Sequence, residues 1–129
     1  MLANNAIEFL PEEIGSLSLL AELKLQGNRI HSLPSSMGIL CSLRHLDLSE
    51  NNLQQVPPKI CNLPRLAFLN LSNNRLLSLP PKINRLQKLL TLNAENNHIR
   101  ELPYQMSEML QLTQIRLGQN QIEVSDFYR

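Results

Sequence analysis

Residues 66–76 read LAFLNLSNNRL, in which Leu66, Leu69 and Leu71 lead to Asn74 and Leu76. Towards the N-terminus the frame recurs as Leu43, Leu46, Leu48, Asn51 and Leu53, and again as Leu20, Leu23, Leu25, Asn28 and Ile30. Towards the C-terminus it recurs as Leu89, Leu92, Ala94, Asn97 and Ile99, then as Leu112, Ile115, Leu117, Asn120 and Ile122. A partial copy surrounds Leu2 and Asn5. Asparagine therefore falls at 5, 28, 51, 74, 97 and 120, always 23 residues apart, with no insertion or deletion. Self-similarity at a fixed period marks a repeat architecture, whose units bury their apolar faces against one another. Such a protein presents a surface more often than it performs chemistry.

Within each unit, period-2 alternation predicts a short strand. In Leu23-Lys24-Leu25 both leucines point inward and Lys24 outward. Equivalent strands lie side by side, all running the same way. The asparagine comes where the chain leaves the sheet. Turned inward, its amide binds backbone groups of its own and neighbouring turns that burial would otherwise leave unpaired. The return half carries Leu10-Pro11, Leu33-Pro34, Val56-Pro57, Leu79-Pro80 and Leu102-Pro103. Three residues after each proline stands Ile14, Met37, Ile60, Ile83 or Met106, and three further on Leu17, Leu40, Leu63, Leu86 or Met109. That spacing suits a short helical or 3₁₀ turn opened by proline. The return side is bulkier than a strand, so the stack bends with the sheet on its concave face.

The frame L-x-x-L-x-L-x-x-N-x-L, continued by L-P-x-x-I-x-x-L, resembles the leucine-rich repeat family over nearly all of the chain. Its 23-residue unit is similar to the intracellular class found in Ras-suppressor and Scribble-type scaffolds, plant Ras-group repeat proteins and some bacterial effectors. The resemblance implies an α/β, right-handed solenoid arc with a parallel concave sheet, and a function in protein recognition, often in signalling. It points to a subclass of fold and not to a partner.

The 129 residues fit one domain: a partial repeat over 1–19, full repeats from 20, 43, 66 and 89, and an incomplete last repeat over 112–129. With 43% hydrophobic and 4% aromatic residues, the expected core is aliphatic. A net charge of +1 gives no general attraction to nucleic acid or membranes. No apolar run reaches the roughly 18 residues of a membrane span, and the start does not read as a signal peptide. Extracellular members of the resembled family commonly carry cysteines clustered in disulfide-bonded caps. Here Cys41 and Cys61 occupy different repeat positions, which favours a reducing, cytoplasmic setting. The sequon Asn70-Leu71-Ser72 falls out of the strand pattern and is read as structural.

Two outward columns on the strands carry the expected partner site. One is Glu22, His45, Phe68, Thr91 and Gln114; the other is Lys24, Asp47, Asn70, Asn93 and Arg116. A third, towards the turn, is Gln26, Ser49, Ser72, Glu95 and Gly118. All three are expected to be free of packing duty, so that their mixture of charge, amide and aromatic sets selectivity. Phe68 is central and suits a binding hot spot. A second surface follows from charge. No acidic residue lies between Asn51 and Ala94, yet Lys59, Arg65, Arg75, Lys82, Arg85 and Lys88 do. Stacking puts Lys59 by Lys82 and Arg65 by Lys88, a positive stripe read as a solvated face, with steering of an acidic partner or phospholipid head groups as the functional alternative.

Catalysis finds no support. His31, His45 and His98 occupy unrelated repeat positions, no metal-ligand spacing occurs, and no cofactor site is expected. Glu12-Glu13 is read as exposed charge on an outer loop. Five strands offer a concave patch of about 400 Å², against about 800 Å² per partner in a standard interface. The first repeat lacks its leading leucines and a polar cap, while Ser125-Asp126 replaces the expected Leu-Pro. Phe127 is expected either to shield the last repeat or to lead onward, and the open ends to allow weak end-to-end self-association. The reading is a non-enzymatic protein-binding scaffold without membrane insertion. Its rivals are the recognition arm of a larger phosphatase, deadenylase or GTPase, and a pathogen effector that mimics host scaffolds.

Overall fold

The structure, a computed structural model, describes residues 2–123. Its five strands are β1 (Glu22–Lys24), β2 (His45–Asp47), β3 (Phe68–Asn70), β4 (Thr91–Asn93) and β5 (Gln114–Arg116). They form one parallel sheet in chain order. The register aligns Glu22, His45, Phe68, Thr91 and Gln114 in one row and Lys24, Asp47, Asn70, Asn93 and Arg116 in another. Between them Leu23, Leu46, Leu69 and Leu92 point inward and are almost fully buried.

The return segments form 3₁₀ turns at Glu12–Ser16, Ser35–Ile39, Pro58–Asn62, Ile83–Arg85 and Tyr104–Glu108, and no α-helix occurs among the described residues. Pro11, Pro34, Pro57 and Pro103 stand just before their turns in extended backbone, where a missing N–H costs nothing. Each turn closes with an i→i−3 bond, as from the Leu40 N–H to the Met37 carbonyl at 3.3 Å. Glu12 and Glu13 lie in the first turn and not in a loop. There the Glu12 carboxylate accepts the Ser36 N–H at 3.3 Å. At Gly38 the next turn approaches so closely that a Cβ would collide with the Lys59 carbonyl.

The asparagine ladder forms as expected and does more than close its own turn. Asn51 Oδ1 accepts the Ile30 N–H of the preceding repeat at 3.0 Å. Its Nδ2 donates to the carbonyls of Leu25 and Leu48 at 3.0 and 3.1 Å. Asn74, Asn97 and Asn120 repeat both bonds one and more units on. Each asparagine thus bolts two repeats together and satisfies groups that burial would leave unpaired.

The N-terminal end is better covered than its missing leucines suggest. Leu23 and Leu25 are buried, the Asn4 N–H donates to the Gln26 carbonyl at 2.8 Å, and the Arg29 N–H to Ile7 at 2.9 Å. A pocket of about 370 Å³ stays open there, lined by Leu2, Ile14, Leu17, Leu20, Glu22, Leu23 and Lys24. At the other end Ile115 is 44% exposed, where its counterpart Leu92 is fully buried. The expected roles of Ser125, Asp126 and Phe127 lie outside the described residues.

Candidate functional site

All ten expected partner-binding residues stand on the solvent side of the sheet in two straight rows. Their freedom from structural duty does not hold for the inner strands. Asp47 Oδ1 accepts the Ser49 N–H at 3.0 Å and the Ser49 hydroxyl at 2.7 Å. Asn70 Oδ1 does the same for Ser72 at 3.0 and 2.7 Å, and Asn93 Oδ1 accepts the Glu95 N–H at 3.0 Å. Ser49 and Ser72 are consequently buried. The physical cause is the chain's exit from the strand, which leaves the N–H two residues on without a ladder partner; a short Asx side chain supplies one. Asp47-Leu48-Ser49 and Asn70-Leu71-Ser72 make identical bonds, so the sequon residues here perform a turn function. The signal was present in the sequence as Asx-x-Ser repeated after 23 residues.

Lys24 and Arg116, in the outer strands, cannot accept such bonds. Beside Lys24, Gln26 Oε1 is buried without a hydrogen-bond partner among the described residues. Lys24 lies 3.9 Å from Glu22, and Arg116 3.9 Å from Glu95. These contacts, at exposed positions, contribute little energy. Asp47 has no cationic partner among the described residues.

In the other row the His45 and Phe68 rings are parallel to within 7°, with centroids 4.1 Å apart. Coplanar rings could not approach so closely side by side, so the pair stands upright and face to face across neighbouring strands. One face of Phe68 is covered by His45. Its other face looks towards Thr91, whose side chain is too short to cover a ring. Gln114 continues the row beyond.

Lys59, Arg65, Arg75, Lys82, Arg85 and Lys88 are all exposed. Arg85 contacts Asn62 at 3.5 Å, and Asn84 donates to Glu108 at 2.7 Å, so a carboxylate bounds the stripe at its C-terminal side. Cys61 is buried beneath it, and that burial pushes its thiol pKa up to about 11, with Arg85 acting weakly the other way. No group of three or more His, Cys, Asp or Glu among the described residues could hold a metal. No described helix is long and apolar enough to cross a membrane.

A family described as leucine rich repeat matches residues 18–76. A leucine-rich-repeat protein of Leptospira interrogans is 34% identical, superposes over 100% of this chain with a TM-score of 0.92, and is covered over 34% of its own length. The plant peptide hormone receptor RGFR1, solved in complex with RGF2, is 33% identical over 93% of this chain, with a TM-score of 0.68 and 24% of its own chain covered. The internalin inlF of Listeria monocytogenes, at 24% identity and a TM-score of 0.76 over 89% of this chain and 33% of its own, shares the fold. No curated protein matches. The chain thus spans about a third or less of the length of these structures. The 23-residue frame, the parallel five-strand sheet backed by 3₁₀ turns and these likenesses agree in supporting a leucine-rich repeat family and its solenoid fold.

Proposed function

We propose that this chain is a non-enzymatic protein-binding module that engages its partner through the concave sheet, in cytoplasmic signalling. The carrying observation is the His45–Phe68 stack at the centre of the sheet. Neither ring belongs to the hydrophobic core; both are half-buried on the open side of the sheet, where core packing does not account for an aromatic side chain. Support comes from a plant peptide hormone receptor of this fold, which is known in complex with RGF2. The free thiols of Cys41 and Cys61 suit a reducing compartment. Weak self-association through the apolar N-terminal pocket belongs to the same reading, and sedimentation at millimolar concentration tests it.

An affinity comparison tests the main reading. Phe68→Ala combined with Asp47→Lys is expected to abolish partner capture, whereas neutralising Lys59 and Lys82 leaves it intact. The opposite pattern would move the site to the positive stripe.

A further inference from the structure

The Asx bonds decide which atoms of the inner strands face a partner. Asn70 and Asn93 spend Oδ1 on accepting backbone N–H groups, a role that the Nδ2 donor cannot take over. Their outward atoms are therefore the Nδ2 amides, and both are hydrogen-bond donors. Asp47 spends one oxygen on Ser49 in the same way, and its other carboxylate oxygen stands in the row beside Lys24, whose ammonium lies against Glu22 at 3.9 Å and makes no ion pair with Asp47. The inner row thus reads acceptor, donor, donor across β2, β3 and β4. Above it the upright rings end at Phe68, and over Thr91 one strand spacing, about 4.8 Å, lies open beside the free ring face. A further ring placed there would extend the stack at the spacing that His45 and Phe68 already use.

We infer that the concave face is a slot for an extended peptide crossing the strands, with an aromatic side chain seated over Thr91 against Phe68. Its backbone carbonyls accept from Asn70 and Asn93 Nδ2, and a Lys or Arg reaches Asp47. The aromatic and basic residues stand about three positions apart, because two strand spacings are about 10 Å and an extended chain rises about 3.3 Å per residue. This rests on the concave-face reading and narrows it to one partner chemistry. Nucleic acid, which also offers stacking rings, is disfavoured by the half-buried carboxylate of Asp47 at the slot.

The probe is a phage-displayed library of linear peptides panned on the whole chain, with enriched sequences synthesised and titrated against variants. Thr91→Trp fills the seat from within. Asn93→Asp keeps Oδ1 for the Glu95 N–H but exchanges the outward donor for an acceptor, so the fold is preserved while the code is inverted. Asp47→Asn removes the charge and keeps the turn bond. Expected are peptides with an aromatic and a basic residue at a fixed separation, and a loss of about tenfold or more in affinity for each variant at unchanged melting temperature. In amide spectra the Asn70 and Asn93 side-chain signals shift on binding. Enriched peptides without an aromatic, peptides that bind Thr91→Trp and Asn93→Asp as tightly as the parent, or no enrichment at all would each overturn the slot. If such peptides still lose affinity on Phe68→Ala, the concave-face reading stands while the slot falls. Binding indifferent to every concave substitution sinks both.

Discussion

Strands β2, β3 and β4 and the outer strands β1 and β5 are built on one frame, yet they behave as two kinds of structure. In the inner three an Asx side chain satisfies the turn beyond the strand, the middle residue is buried, and its flanking residues are half-covered by neighbours. In the outer two, Lys24 and Arg116 stand where the Asx would be, and all three residues of β5 are exposed. Repeat identity therefore places a residue, and stacking on both sides gives it its energy. The inner strands also carry the whole of the proposed slot. The proposed site thus lies on strands stacked on both sides, where neighbours already hold the side chains and the cost of ordering on binding is lower.

The largest expected contrast is in the core. Leu69→Ala should destabilise the chain by about 2–5 kcal/mol, and Ile115→Ala, at the half-exposed equivalent position, by only a small part of that. Denaturant midpoints would measure both, and equal losses would break the distinction between inner and outer strands. Next comes the ladder. Asn74→Ala orphans the Leu53 N–H and removes one of the two asparagine bonds to each of the Leu48 and Leu71 carbonyls, which Asn51 and Asn97 still serve, and should cost about 1–3 kcal/mol. Asn120→Ala, in a partly exposed setting, should cost less.

Alkaline titration probes the middle of the stack at lower amplitude. Cys61 keeps its proton in the folded state up to about pH 11, against an ordinary value of 9.0. The unfolded chain therefore binds fewer protons than the folded one in that interval, and stability falls between pH 9 and 11. Below pH 9 the contribution is complete. Cys61→Ala should flatten the alkaline slope, and a slope unchanged by it would assign the effect to other groups. Exposed Cys41 should react with a thiol reagent near neutrality while Cys61 is spared until the stack opens.

The smallest effect should come from Asn70→Asp, which preserves the bonds to Ser72 and should leave the melting temperature within a few degrees, about the noise of a surface substitution. A large drop would show that its outward amide also serves the fold.

Strand positions, the inward leucines, the proline-led turns and the asparagine ladder were all legible in the chain, because a 23-residue period with no insertions puts every equivalent residue in equivalent surroundings. The two outward rows followed from alternation alone, since a strand can point a side chain only in or out. Three features were settled by folding. Ser49 and Ser72 became buried because their hydroxyls pair with Asx side chains two residues back, a local competition that apolar patterning does not register. Asp47, Asn70 and Asn93 acquired a fixed outward atom only once their other atom was committed. His45 and Phe68 are 23 residues apart and became one stacked platform because parallel pairing brings β2 and β3 within a ring's thickness of contact. Periodicity governs where each side chain stands, but which of its atoms remains free depends on contacts made across repeats, and those exist only in the assembled stack.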